Sequence, residues 1–301
     1  MSRQWLTERE RGAPWLVRLM LWIALNMPRG VARLVLLPIT AYFYVAAPRA
    51  RLASKRFLAR ALRRRATSWD SLRHLHTFAA TILDRVYFLT GKLERFDIHL
   101  HGFEALRQRA KDGEGALLIG AHLGSFEALR ALAVEDDAIR LKVLMYADHN
   151  QVISRLLHQL NPAVAETIIP LGPFDSLLKV RECADEGYLI GLLGDRVAES
   201  DKSVCCPFLG KEASFPAGPM ILAHSLRLPL FLVFGLYQGG NRYDLHFEPL
   251  VERVDLGRPH DPAKLQHYVR LYVERLEYYT RLSPYNWFNF YDFWNEDTKS
   301  H

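Results

Sequence analysis

The chain has 301 residues, half of them apolar, which is enough to bury the core of one large domain or of two small ones. Its formal net charge of +6 is unevenly distributed, because residues 1–65 hold fourteen Lys and Arg against two Glu. That segment therefore carries +12 and the remaining chain −6. A basic end of this kind predicts an anionic partner, either nucleic acid or lipid headgroups. The apolar stretches 19–26 and 34–47 lie between the charges and favour a membrane surface, so we expect no nucleic-acid partner.

The N-terminal region lacks the pattern of a cleavable signal peptide, because Arg18 interrupts its apolar run. The longest uncharged apolar stretch, 34–47, contains Pro38 and is shorter than the roughly 18 residues expected of a spanning helix. An interfacial or re-entrant segment, a single span and a buried core helix all stay open for it. We predict a basic, hydrophobic, helical, membrane-associating segment over residues 1–48 and one large domain over 49–301.

The three cysteines suit neither a disulfide framework nor the C-x-x-C spacing of zinc and redox sites, since two of them are adjacent. We therefore expect a reducing compartment.

Residues 49–95 have apolar side chains at three- and four-residue steps, which predicts helices. From Phe96 onward, short apolar runs alternate with amphipathic stretches. The predicted strands are 115–121, 141–146, 167–171, 189–193, 230–237 and 244–250; the predicted helices are 127–134, 151–160, 176–186, 218–225 and 263–282. This alternation is typical of an α/β fold with a mostly parallel central sheet flanked by helices.

One strand end carries the strongest candidate for chemistry. The segment "GALLIGAHLGSFEALR" runs from a predicted strand through His122 and the turn at Gly124 and Ser125 into a helix. In a continuous helix, His122 and Glu127 would lie about 140° apart and could not touch. If His122 lies in the loop and Ser125 caps the helix, Glu127 can fold back towards the imidazole. The carboxylate would then fix the tautomer and leave the other ring nitrogen free to take a proton from an alcohol.

The H-x-x-x-x-[DE] spacing alone is weak evidence, because one or so matches are expected by chance among 12 histidines. A second match, His99 with Glu104, lies within the alternating strand pattern "FDIHLHG" and lacks a glycine turn. The strand, turn and cap around His122 therefore favour His122 as the functional residue.

The segment "GAHLGSFEALR" resembles the H-x-x-x-x-D/E block of the glycerolipid acyltransferase superfamily, and within it the bacterial lipid A biosynthesis (late) acyltransferase family. The similarity extends to "GLLGDR" at 191–196 and to "CPFLGKEASFPAGPMILA" at 206–223. The resemblance implies that His122 is the general base, that Glu127 is its partner, and that Asp195 and Arg196 form a second polar block of the site.

The same resemblance implies transfer of a fatty acyl chain from an acyl thioester to a hydroxyl of a membrane lipid or glycolipid, as in lipid A biosynthesis. The donor is expected to be acyl carrier protein, with acyl-CoA as the alternative, and no cofactor is expected. The place of action is expected to be the cytoplasmic face of the cell inner membrane. The C-terminal "SPYNWFNFYDFW" looks more like members associated with aryl polyene or related lipid-linked clusters, so aryl polyene-type and lysophospholipid acceptors stay open.

Further residues are candidates for substrate binding. Arg196 could pair with an acceptor phosphate, although an internal ion pair with Asp195 is an equal alternative. Gly124, Ser125 and Gly218 are further candidates for substrate binding. Gly194, Gly210 and Gly218 would permit a close approach of a ligand to the backbone, although single glycines in turns more often mark simple turns.

Six aromatic residues stand among ten in "YNWFNFYDFW". Such a segment is expected to pack on the body of the protein or to lie at a membrane interface.

The sequence bears on two other classes of function. A metal hydrolase is disfavoured because no H-E-x-x-H motif appears and the "HLH" of residues 99–101 has no third ligand nearby, so we expect no metal. A non-catalytic lipid-binding protein with the same fold stays open.

Overall fold

A computed structural model describes residues 21–136, 138–146, 161–171, 174–197 and 202–294. The predicted helix 151–160 and the first twenty residues of the predicted N-terminal segment lie outside the described residues.

The centre of the fold is a seven-stranded sheet with the order β1-β9-β8-β2-β5-β3-β4. All neighbouring strands are parallel except β8 and β9, which form an antiparallel hairpin. The strands of this sheet are β1 (Asp97–His101), β2 (Ala116–Gly120), β3 (Leu141–Tyr146), β4 (Ile168–Leu171), β5 (Leu189–Leu193), β8 (Leu230–Gly239) and β9 (Arg242–Val251). A separate antiparallel hairpin consists of β6 (Ser203–Phe208) and β7 (Lys211–Pro216).

Helices connect and cover these strands. They are α1 (Arg29–Ala46), α2 (Pro48–Ala61), α3 (Ser68–Leu89), α4 (Phe103–Lys111), α5 (Phe126–Glu135), α6 (Pro162–Glu166), α7 (Phe174–Asp185), α8 (Gly218–Leu226) and α9 (Pro262–Leu282). Residues 21–26 are also helical, and short 3-10 turns occur at Leu93–Arg95 and Pro284–Asn286.

The core lies on both faces of the sheet, as the alternation of side chains along β2 illustrates. Leu117 and Ile119 pack into the cluster that includes residues of α2, α8 and α9, whereas Ala116 and Leu118 pack into the cluster beneath α1, α3, α4 and α5. Because both faces are covered, all five residues of β2 are buried and read as one continuous apolar run. The predicted fold class, a mostly parallel sheet flanked by helices, is confirmed.

Helix α1 is the one helix, among the residues that the structure describes, whose length and composition would suit a membrane span. Its 18 residues have a mean hydropathy of 1.2, and only 17% of them are buried. A core helix of a soluble protein or a signal sequence can meet the same criteria, so this finding is weak evidence for a span.

The turn after β2 depends on a close approach between two glycines. Gly124 has a φ of +75°, in the left-handed region, and a Cβ added to it would stand 1.9 Å from the carbonyl oxygen of Gly235 on β8. The N–H of the next residue, Ser125, donates to that same carbonyl at 2.7 Å. Only glycine allows the turn to lie this close to the strand, and the turn carries His122.

We expect Gly124→Ala to destabilise the protein strongly. The left-handed conformation alone costs an alanine about 1–2 kcal/mol, and displacing the Gly235 carbonyl adds about 1–3 kcal/mol or more. Gly113→Ala is the matched control, because Gly113 has a φ of +71° and open space around its Cβ position. Urea unfolding of the two variants and the parent measures the difference, and equal losses at the two positions would contradict this role of Gly124.

Candidate active site

His122 and Asp195 meet at the carboxyl ends of two neighbouring parallel strands. Gly120, the last residue of β2, is paired with Leu193, the last residue of β5. Each strand is followed two residues later by one member of the pair, so the parallel register itself brings the imidazole and the carboxylate together. Crevices at this edge of an α/β sheet are the usual place for ligands.

Three hydrogen bonds join Asp195 to its surroundings. The Nδ1 of His122 lies 2.8 Å from Oδ1 of Asp195, and the backbone N–H of His122 donates to Oδ2 at 3.1 Å. The indole Nε1–H of Trp287 donates to Oδ2 as well, at 3.1 Å. Because a carboxylate can only accept, these contacts assign the Nδ1–H tautomer to His122.

The His122 side chain is 33% exposed, whereas that of Asp195 is 1% exposed. Within the part of the chain that the structure describes, the Nε2 of His122 has no hydrogen-bond partner. The site therefore has a buried carboxylate behind the ring and an accessible ring nitrogen in front of it.

The electrostatic surroundings keep the imidazole neutral and the carboxylate charged. Burial lowers the pKa of His122 and the positive charge of Arg196 lowers it further, while Asp195 opposes both effects. Burial would raise the pKa of Asp195, but the charge and hydrogen bonds of His122, together with the charge of Arg196, lower it to about 2. At neutral pH, His122 is thus a neutral base with an unprotonated Nε2.

Glu127 does not contact the His122 ring, although the sequence predicts that it would. The structure has Asp195, and not Glu127, on the Nδ1 of His122, and Glu127 forms an ion pair at 2.6 Å with Arg85 of helix α3. Ser125 caps helix α5 as predicted and accepts a hydrogen bond from the Ala128 N–H at 3.3 Å. Because α5 begins at Phe126, the Glu127 side chain lies in its first turn and points towards α3. Glu127 still influences the ring through space, because its charge raises the pKa of His122.

The remaining candidate residues are spread around this pair. A guanidinium N–H of Arg196 donates to the Phe288 carbonyl at 3.0 Å, and the group lies 5.6 Å from the ring centre of Tyr291. Arg196 is close enough to act on the charges of His122 and Asp195, but the described contacts include no direct ion pair between Arg196 and Asp195. Gly218 begins α8 and is exposed, and none of the hydrogen bonds among the described residues joins it to His122. The N–H of Gly124 is occupied, since it donates to the Asn286 carbonyl at 2.8 Å.

The C-terminal segment is the part of the site that sequence reasoning missed. Of the two predicted placements of its aromatic residues, packing on the body is the one observed, because Trp287, Phe293 and Trp294 are all buried. Trp287 supplies a donor to Asp195, and the N–H of Phe288 donates to the His122 carbonyl at 2.8 Å. The density of aromatic residues was a signal of packing, but nothing in the sequence singled out Trp287.

A buried polar chain ties Trp287 to the N-terminal helices. The Nε2–H of His74 on α3 donates to the Trp287 carbonyl at 2.9 Å, and its Nδ1 accepts from Ser54 on α2 at 3.0 Å. Ser71 donates in turn to Ser54 at 3.1 Å. Burial lowers the pKa of His74 to about 3, so the chain is uncharged at neutral pH. Helices α2 and α3 thus hold the segment that contacts Asp195.

Among the described residues, no group of three or more His, Cys, Asp and Glu side chains is arranged to hold a metal ion. The "HLH" histidines have other contacts: the Nε2 of His99 lies 2.9 Å from Asp97, and the ring of His101 stacks on that of His246.

Comparison with known proteins adds one finding. The model of the family described as bacterial lipid A biosynthesis acyltransferase matches residues 2–294. No curated protein sequence matches the chain.

We expect Trp287→Phe to raise the pKa of His122. The change removes a donor that partly neutralises Asp195, so the carboxylate will stabilise the imidazolium more strongly. Trp294→Phe is the matched control, because the Nε1–H of Trp294 donates to the Phe208 carbonyl at 3.3 Å within the same aromatic cluster and does not contact Asp195.

Both substitutions should cost about 1–3 kcal/mol of stability through lost ring volume and one lost hydrogen bond. NMR titration of the His122 ring separates them, since only Trp287→Phe should move its pKa. An unchanged His122 pKa in Trp287→Phe would leave Trp287 with a packing role alone.

Proposed function

The chain belongs to the bacterial lipid A biosynthesis acyltransferase family and is an acyltransferase, and from this premise we propose that it moves a fatty acyl chain from an acyl thioester to a hydroxyl of a membrane glycolipid. The observation that carries the proposed mechanism is the His122–Asp195 pair, with its buried carboxylate and accessible Nε2. A base that is neutral near pH 7 and open on one side suits proton transfer from an alcohol.

In the proposed reaction, the acceptor hydroxyl approaches the Nε2 of His122 and the thioester carbonyl lies beside it. As the hydroxyl oxygen forms its bond to the carbonyl carbon, His122 takes the hydroxyl proton. The tetrahedral intermediate then collapses, the C–S bond breaks, and the imidazolium returns the proton to the leaving thiolate. Backbone N–H groups at the start of α5 are our candidates for stabilising the oxyanion.

Two carboxylates have different roles in this proposal. Asp195 is a positioning residue, because its hydrogen bond holds the ring and fixes the Nδ1–H tautomer. Glu127 contributes its negative charge, which favours the imidazolium formed during the reaction, and its ion pair with Arg85 holds it in place. Arg196 would meet a phosphate of the acceptor or donor, since guanidinium groups match phosphate oxygens.

The substrates and location follow from the chemistry of the family. We propose acyl carrier protein as the donor, with acyl-CoA as the alternative, and a glycolipid of lipid A biosynthesis as the acceptor, with aryl polyene-type lipids and lysophospholipids as alternatives. The family is membrane-associated. We propose the cytoplasmic face of the inner membrane as the place of action, residues 1–48 as the membrane-associating segment on an anionic surface, and residues 49–301 as the acyltransferase domain.

The function is tested with the purified full chain, acyl carrier protein loaded with acyl groups, and mixed bacterial lipids, with the product identified by mass spectrometry. We expect His122→Ala and Asp195→Asn each to lower kcat about 10²–10⁴-fold. Glu127→Gln should cost less, because Glu127 acts through space. His99→Ala is the matched control, since His99 belongs to the second H-x-x-x-x-E match and has a side chain that is 42% exposed.

Full activity of His122→Ala would end the proposal. A larger loss in Glu127→Gln than in Asp195→Asn would reassign the partner of the ring to Glu127.

The pH dependence tests the charge balance at the site. Because the pKa of His122 is lowered by burial and by Arg196, kcat/KM should stay high below pH 6.5, the usual pKa of histidine, and fall only at lower pH as Nε2 becomes protonated. Arg196→Gln removes a positive charge, so the His122 pKa should rise and the acid limb should move to higher pH. Arg270→Gln, a surface change on α9, should leave the limb unmoved. An acid limb shifted to lower pH in Arg196→Gln is the contradicting result.

A further inference from the structure

Helix α1 presents a row of large apolar side chains to the outside. Among the described residues, eighteen large hydrophobic side chains are exposed, and thirteen of them lie between Trp22 and Ile82. Five of these, Val31, Leu34, Leu37, Tyr42 and Val45, are spaced so that they share one side of α1, and we call them the α1 stripe. Leu34, Tyr42 and Val45 are 65%, 64% and 74% exposed. A continuous apolar row of this kind marks an interaction surface.

The opposite side of α1 is fixed to the body of the protein. Arg29 forms a two-pronged ion pair with Asp84 of α3, at 2.8 and 2.7 Å, and Asp84 is fully buried. Arg33 hydrogen-bonds to the hydroxyl of Tyr237 on β8. Further along the helix, Thr40 lies 3.4 Å from His76 of α3. Helix α1 therefore runs antiparallel along α3 and is attached to it from Arg29 to Thr40.

This attachment is incompatible with a membrane span. A span of about 30 Å requires roughly 20 predominantly apolar residues within the hydrocarbon, but α1 is bound from residue 29 to residue 40 to α3, which packs on the core of the domain. Inserting α1 across a bilayer would leave the buried Asp84 without its cation and would carry Arg29 and Arg33 into hydrocarbon. A helix with one apolar side and one protein-bound side suits the interface between lipid and water.

The charge of the neighbouring segment favours lipid as the occupant of this surface. Arg49, Arg63 and Arg65 are exposed in and just after α2, the helix that follows α1. Basic side chains beside an apolar surface bind the anionic headgroups of a membrane.

We propose that α1 lies in the plane of the membrane, with the α1 stripe in the acyl-chain region and its other side bound to α3, so that the chain does not cross the bilayer at α1. This inference rests on the proposed function only in placing the lipid acceptor in that membrane. Helix α3 also links α1 to the helix that follows the active-site loop. Asp84 holds α1, and the next residue, Arg85, holds Glu127 of the helix that follows His122.

Cysteine labelling at the two ends of α1 tests the topology. Cys183 and Cys205 are first replaced by Ser, and the buried Cys206 is kept because burial raises the pKa of its thiol to about 11. Gly30→Cys or Arg49→Cys is then introduced, both at exposed positions. Sealed vesicles with the cytoplasmic face outward are treated with a membrane-impermeant maleimide. We expect both ends to be labelled without detergent. Labelling of only one end before detergent is added would overturn the proposal.

Vesicle binding tests the contact surface. Leu34→Glu/Leu37→Glu should lower the fraction of full chain that sediments with phosphatidylethanolamine–phosphatidylglycerol vesicles at least about fivefold. The matched control is Leu177→Glu/Leu178→Glu, which places the same charges on exposed leucines of α7 and should leave binding unchanged. Equal binding of parent and Leu34→Glu/Leu37→Glu would overturn the proposal.

Two further measurements keep the outcomes distinct. Activity of Leu34→Glu/Leu37→Glu on detergent-dispersed substrates should match the parent, which shows that the domain is folded. His122→Ala should bind vesicles and label like the parent, so a failure of the proposed chemistry and a failure of the proposed topology give different results.

Discussion

The site depends on the burial of one charge, the carboxylate of Asp195. A buried carboxylate is costly unless donors surround it, and here the donors come from the loop after β2 and from the C-terminal segment. His122 supplies two of them, through Nδ1 and its own backbone N–H, and Trp287 supplies the third. The same hydrogen bonds that offset the cost of burial also fix the tautomer of the ring. The same three hydrogen bonds therefore stabilise the loop after β2 and leave the Nε2 of His122 free to accept a proton.

The C-terminal segment reaches Asp195 because aromatic packing and a buried polar chain hold it. Trp287 packs against Phe57 of α2 and Phe208 of the β6–β7 hairpin, and its carbonyl accepts from His74 of α3. Parts of the chain that are far apart in sequence thus converge on one indole ring. A substitution in α2 or α3 that displaces Trp287 will therefore alter its hydrogen bond to Asp195. Among the described residues, neither helix itself contributes a hydrogen bond to Asp195.

Helix α3 contacts both α1, which we propose to bind the membrane, and α5, which follows the loop of His122. Its face towards α1 carries Asp84, which binds Arg29, and the adjacent Arg85 binds Glu127 in the first turn of α5. Consecutive residues in a helix point about 100° apart, so one helix can serve both neighbours. Glu127 is thereby directed away from the ring nitrogen and acts on His122 through its charge. The result is a chain of contacts between the surface that we propose for lipid and the base that we propose for catalysis.

The sequence by itself determined the local features. The apolar runs of the sheet, the capping of α5 by Ser125 and the loop position of His122 all follow from spacing, turn residues and periodicity, which act over a few neighbours. Tertiary structure alone decided the partner of His122, because the order of strands places β5 beside β2 and brings Asp195, 73 residues further along the chain, to the ring. Glu127, only five residues away, was the nearer carboxylate in sequence but meets Arg85 instead. Strand order and helix packing are set by the burial of the whole core, and no short segment encodes them.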